Sequence, residues 1–431
     1  MTNPAHHLRS TLDSSLPPAF ALALLFLLTT VAAPPAQAQT YTTLHSFTRQ
    51  QDGSNPMTGL TMDEAGNLYG TTSTGGNDGS DCAGRGGCGG IFRMTRKDGA
   101  WIFTPLYDFQ GGSDGSGPQA NVTIGPDGAV YGTTLYGGGN GCTLGAGCGT
   151  IFKLTPTASV CHAALCSWTE TVLYRFSQAP EVANGPWGGV TFDAAGNLYG
   201  MAFAGGTGNC TGGCGVIYKL TPSGGNWTFS VIYNFTGGSD GAAPLSTLIT
   251  DRAGNLYGTA GYGGLGAGTV FELIRAGAGW SFNLLYALNG QSDGAIPMAG
   301  VVMDSSGNLY GDDTNGGPDD GGVVFELSYS AGSWNFSVIG APMGGLDAPV
   351  SLDSAGNVYG TTYDGGSYQV GLVFELTPSG GSWIENDIYS FNPNSGILPV
   401  SNVTLDASGS LYGTTTIGGA RGDGVVWQIA R

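Results

Sequence analysis

The stretch Asp63-Glu-Ala-Gly66-Asn67-Leu68-Tyr69-Gly70-Thr71-Thr72 decides the reading of this chain, because it returns six more times. Its Tyr recurs at Tyr131, Tyr199, Tyr257, Tyr310, Tyr359 and Tyr412, at intervals of 49 to 68 residues. The second copy is degenerate, with Gly125 in the Asp slot, and the seventh has Ser410 for Asn. Such a period matches one four-stranded propeller blade. Each unit predicts four strands. A short apolar segment such as Gly59–Met62 comes first, then a tight turn at Gly66-Asn67. Leu-Tyr-Gly-Thr-Thr is the second strand and Gly-x-Val/Ile-Phe-x-Leu the third. A fourth opens at a Trp and alternates with period two, as in Trp227, Phe229, Val231, Tyr233 and Phe235.

The ends of the repeat array predict how it closes. The seventh unit stops after its third strand, at Val425–Ile429, while Tyr41–Phe47 matches the fourth strands of the other units. The N-terminal strand therefore completes the last blade, which makes seven blades of four and leaves no open edge between first and last. The expected fold class is all-β, a seven-bladed propeller over residues 39–431. Residues 1–38 read as a secretory signal peptide: Arg9, an apolar run from Ala19 to Ala33, and cleavage after Ala36-Gln37-Ala38. The exported protein is then expected in the periplasm or outside the cell, as a monomer with no membrane span.

Composition narrows the function. Glycine supplies 79 of 431 residues without a collagen period, alongside 19 Tyr and 18 Phe, which suits many short strands and tight turns. A net charge of −18 with three Lys excludes nucleic acid as a partner, since little is left to neutralise phosphates. The eight cysteines form close pairs, Cys82/Cys88, Cys142/Cys148, Cys161/Cys166 and Cys210/Cys214, expected as disulfides in an exported chain. Each closes a short loop and stabilises by about 2 kcal/mol.

Propeller topology puts the interblade loops on one face with the loops joining second and third strands, and that face carries most of the irregular sequence. Its interblade loops hold Asp52, Asp114, Asn184, Asp240, Asp293 and Asp347, mostly followed by Gly and then Pro. Asp52, Asp114, Asp240 and Asp293 are candidate ligand-binding residues, with turn chemistry as the alternative. Tyr136, Tyr262 and Tyr363, just beyond the second strands, are candidate stacking platforms for a sugar; packing between loops would equally explain them. Blade five replaces Thr-Thr with Asp312-Asp313, and Asp319-Asp320 follow. Four carboxylates on one Gly-rich loop suit Ca²⁺, although an exposed acidic loop needs no ion. The Asp of the repeated phrase (Asp63, Asp193, Asp251, Asp304, Asp353, Asp406) is expected to bond its own turn. No catalytic set stands out. The exported part has two histidines, His45 in a slot that Tyr107 and Tyr174 fill elsewhere and His162 between two cysteines, and the innermost strands hold no carboxylate.

The phrases Gly66-Asn67-Leu68-Tyr69-Gly70-Thr71-Thr72 and Gly90-Ile91-Phe92-Arg93-Met94, repeated seven times, resemble the GloVer tandem-repeat family of exported bacterial proteins over residues 41–430. More distantly the chain is similar to NHL and gluconolactonase-like propellers. The resemblance implies an exported repeat propeller, often with a C-terminal surface-sorting segment, whereas this sequence runs from its last strand to Arg431. It implies no particular activity. The expected function is a non-catalytic binding or scaffold module for a protein or glycan; the alternatives are a carbohydrate-active enzyme using loop carboxylates and a purely structural envelope protein.

Overall fold

The computed structural model describes residues 39–77, 82–139, 147–157, 168–177, 183–277, 279–318 and 320–431. The signal-peptide segment, Cys142, Cys161, Cys166, His162 and Asp319 lie outside them. Residues Gln39–Arg431 belong to one unit, built of seven four-stranded antiparallel sheets. Six sheets use four consecutive strands. The seventh orders Thr40–Ser46 against Val425–Ala430, then Leu411–Thr415, then Thr404–Leu405. The N-terminal strand pairs from Thr40 opposite Ala430 to Ser46 opposite Val425, so the ring closes as the repeats predict.

The recurring residues of the phrase each have a physical task. The Asp63 carboxylate accepts bonds from the backbone N–H of Ala65 (3.0 Å) and Asn67 (2.8 Å), the Asn67 amide (2.8 Å) and the Tyr69 hydroxyl (3.1 Å). Gly66, at φ 79°, supplies the left-handed turn between them. Asp193, Asp251, Asp304, Asp353 and Asp406 repeat the arrangement. Partial burial opposes ionisation at Asp193, Asp353 and Asp406, but the hydrogen bonds they receive hold their carboxyls below the usual range. In the degenerate second copy Asp127 takes over the Tyr131 hydroxyl at 3.0 Å, two positions later than the usual Asp. Leu68 is fully buried. Gly70 faces Phe92 on the third strand, whose ring would lie 2.4 Å from any Cβ there. All seven blades make this contact, from Gly132 and Phe152 to Gly413 and Trp427, so the glycine is fixed by close approach.

Seams between blades are aromatic. The phrase Tyr of five blades packs edge-on against the Trp that leads the next blade's fourth strand, as Tyr199 does on Trp280 at 5.7 Å. Two details differ from the sequence reading. The first strands are shorter than their apolar segments, Thr61–Met62 instead of Gly59–Met62, because the residues before them line the channel. The period-two alternation of the fourth strand is also interrupted. Each fourth strand has a bulge between its fifth and seventh residues, at Leu44, Leu106, Leu173, Ile232, Leu285, Ile339 and Ile388. The residue after the bulge reaches the next blade: His45 stacks on Phe103 (3.9 Å), Tyr174 on Phe229 (3.9 Å), Tyr233 on Phe282 (4.8 Å), Tyr286 on Phe336 (4.1 Å) and Tyr389 on Tyr41 (4.4 Å).

Disulfides join Cys82 to Cys88 and Cys210 to Cys214, Cys148 is disulfide-bonded, and no described cysteine is free.

Candidate functional site

The bulged strands explain the interblade aspartates. Asp52, Asp114, Asp240 and Asp293 each lie seven residues after the bulge-following side chain and bond to it: His45 at 3.1 Å, Tyr107 at 3.0 Å, Tyr233 at 2.9 Å and Tyr286 at 2.9 Å. Each also accepts the backbone N–H four residues before it, from Thr48, Gln110, Thr236 and Asn289. Asp240 and Asp293 are buried. These carboxylates hold the interblade loops in shape, and none of the four is among the residues lining the axial funnel. Of the three tyrosines, Tyr136 lies under the Arg85 guanidinium at 3.9 Å and Tyr363 packs over Gly345, while Tyr262 is 51% exposed.

What does converge is the residue that follows the loop proline. Met57, Gln119, Trp187, Leu245, Met298 and Val400 come from six blades, and Asp347 takes the position in blade six, whose loop is remodelled. Together they form the rim of a funnel of about 340 Å³ at the end of the central channel. Below the rim the Asn121 side-chain amide donates to the Asn402 carbonyl oxygen at 2.6 Å, from blade two to blade seven. The bridge passes over Gly59, where a Cβ would come within 1.9 Å of Asn402 Oδ1. Trp187 is the rim's aromatic, 36% exposed and edge-on to Phe203 at 6.5 Å. The rim escaped the sequence reading, which dwelt on the aspartates of these loops; aligning the loops on their proline would have found it.

The funnel has one charged side chain among the described residues, Asp347. It is open to water through the funnel, yet the surrounding wall desolvates it and pushes its carboxyl up to about 6. Asp312 and Asp313 sit nearby in blade five and are each 1% exposed. Period two along an extended chain sends them to opposite faces. Asp313 accepts the Val323 N–H at 2.8 Å, and burial pushes its carboxyl up to about 8. Among the described residues Asp312 has no hydrogen-bond partner for either carboxylate oxygen; burial, then Asp313 and Asp347, raise its carboxyl well above the ordinary value. Asp320 Oδ1 accepts the Gly316 N–H at 3.0 Å. Among the described residues no group of three or more His, Cys, Asp or Glu is arranged to hold a metal ion.

The fold defines a seven-bladed propeller with an axial funnel on its loop-rich face. The chain belongs to the Gloeobacter/Verrucomicrobia repeat family, whose model matches residues 29–171 and 143–341. No curated protein matches the sequence. Among solved structures the chain is similar to an ulvan lyase of polysaccharide lyase family PL25, with a TM-score of 0.52, 11% identity, and 87% of this chain and 93% of that one covered. It is also similar to a putative 6-phosphogluconolactonase from Bacteroides uniformis (TM-score 0.49, 14% identity, 75% and 84% covered). A gluconolactonase from Xanthomonas campestris has a TM-score of 0.38 at 17% identity, with 65% and 78% covered. At these identities the likeness shows the fold alone.

Proposed function

We propose that this chain is an exported ligand-binding propeller whose site is the funnel on its loop-rich face. One observation carries the reading. The seven blades repeat their loop and turn residues closely, yet at the rim they present Met57, Gln119, Trp187, Leu245, Met298, Asp347 and Val400. A position that faces an open cavity and is free of the repeat is where a ring of similar blades acquires a specific surface. The disulfides and the family support export. A second reading, a carbohydrate-active enzyme, is favoured by Asp347: a carboxyl held near 6 beside a second carboxyl is suited to general-acid work.

The test is a thermal-shift screen of small molecules and oligosaccharides against the native protein and Met298→Arg, which puts a long cationic side chain across the funnel. Ligands that raise the melting temperature of the native protein but not of the variant support the funnel. Ligands that stabilise both equally place the site elsewhere. Product formation from any oligosaccharide hit, lost in Asp347→Asn, would favour the enzymatic reading.

A further inference from the structure

Four departures from the repeat fall on a single seam, between blades five and six. Gly340 stands after the bulge of the blade-five outer strand, where Tyr107, Tyr174, Tyr233, Tyr286 and Tyr389 stand elsewhere. Opposite it, Glu385 replaces the Phe that receives such a stack. The loop across the seam has Gly344-Gly345-Leu346-Asp347 in place of Asp-Gly-x-x-Pro, and the second strand of blade five has Asp312 in place of Thr. The last two changes meet at the funnel. In blades two, six and seven the hydroxyl at the Asp312 position donates to a carbonyl just beneath the rim of the following blade: Thr133 to Gly188 (2.9 Å), Thr361 to Ser401 (2.9 Å) and Thr414 to Thr58 (2.7 Å). By that equivalence Asp312 lies beneath the segment that carries Asp347. One carboxylate thus stands on the rim with no hydrogen bond or ion pair among the described residues, and an unpartnered, buried carboxyl stands behind it.

We propose that the funnel takes an organic cation, an alkylammonium group seated on Asp347 with its apolar body against Trp187, Leu245, Met298 and Met57. This rests on the funnel being the binding site. A carboxylate set in an apolar wall is costly until a cation neutralises it. The Trp187 ring and the methionine thioethers are favourable neighbours for an alkylated ammonium. An anionic ligand would meet Asp347 and the field of a chain of net charge −18. A hydrated divalent metal ion would want six or more oxygens, which this mostly apolar rim does not offer. A sugar would want several free polar groups; the Asn121 and Asn402 side chains already bond each other, which leaves the Gln119 amide, with its oxygen buried and unpartnered, in a rim otherwise dominated by Met, Trp, Leu and Val.

The experiment is calorimetric titration of the purified protein at pH 7.5 with hexylammonium, hexyltrimethylammonium, hexanol and hexanoate. The cations are expected to bind at least about tenfold more tightly than hexanol, and hexanoate not at all. Asp347→Asn should erase that preference without weakening hexanol, and Asp347→Glu should keep it. Equal binding of hexanol and hexylammonium, or an unchanged preference in Asp347→Asn, overturns the proposal. Hexanol binding that Met298→Arg blocks, with no preference for the cations, overturns the cation and leaves the funnel standing; binding indifferent to Met298→Arg removes both.

Discussion

Restoring the repeat at Asp312 and Asp313 should stabilise the protein, by an amount that grows with pH. In the double variant Asp312→Thr/Asp313→Thr the second strand of blade five again reads Tyr-Gly-Thr-Thr. Thr at 313 can accept the Val323 N–H as Thr72 accepts the Gly90 N–H at 3.1 Å, and Thr at 312 can donate across the seam as Thr414 does. The magnitude follows from linkage. The Asp313 carboxyl titrates at about 8 in the folded protein and near 3.9 when unfolded. A raised folded value means its stabilising contribution is complete below about pH 4 and is lost as pH rises towards 8, at about 1.4 kcal/mol per pH unit. At pH 7 that amounts to roughly 4 kcal/mol relative to pH 4, and Asp312, raised by the same burial, steepens the slope towards two protons. Urea unfolding of the native protein and the variant at pH 5, 6, 7 and 8, with a chelator present, reads the difference directly. The two are expected to differ little at pH 5 and by several kcal/mol at pH 8. Parallel stability curves would refute the reasoning. A native protein that is pH-insensitive above pH 5 and destabilised by chelator would mean instead that a cation neutralises these carboxylates.

Removing residues 39–49 strips the outer strand from blade seven and exposes the edge at Val425–Ala430, with loss of the fully buried Phe47 and the Tyr41 stack on Tyr389. The loss should be on the order of 5 kcal/mol or more, seen as aggregation by light scattering or a broad, lowered melt, and a melt like that of the intact protein would contradict the closure. At the seam between blades one and two, Glu170 occupies the Phe slot beside Tyr107, and burial, then Asp114, pushes its carboxyl up to about 7. Glu170→Phe should restore the ring stack and raise stability by about 1 kcal/mol in urea titrations at neutral pH, and a less stable variant would contradict the equivalence of the seams.

How much of this was legible in the sequence depends on whether a feature repeats. Gly66, Asn67, Tyr69 and Gly70 recur in fixed order, so the blade, its turn and the sevenfold count could be read from their wording, and the split last unit announced the closure. The bulges could not be read that way. Apolar residues alternate straight through Trp227–Phe235, and the extra residue at Ile232 leaves no mark on composition. The bonds that the interblade aspartates make within their own loops could not be read either, because their seven-residue offset to a Tyr or His is meaningful only once the bulge turns that ring towards the loop. The eight cysteines, by contrast, declared themselves by spacing, and the described pairs Cys82–Cys88 and Cys210–Cys214 are bonded as expected.

The same logic bears on where a repeat propeller can hold function. Residues that every blade needs, such as the turn aspartates and the glycines under the third-strand rings, are committed to bonds and contacts within or between blades, and altering them would damage the scaffold. Specific chemistry must come from positions the scaffold does not use, and two kinds are present. The rim side chains face the funnel and make no hydrogen bond among the described residues, so they differ from blade to blade without disturbing the ring. The seam between blades five and six differs in another way, because Gly340, Glu385 and Asp312 forgo the ring stack and the threonine bond made elsewhere. Giving up such contacts destabilises the ring, and a buried carboxyl with neither oxygen partnered adds to the deficit. Five of the other six seams carry the ring stack, the seam at Glu170 being the exception, and the one adjoining Asp347 at the rim replaces the threonine as well.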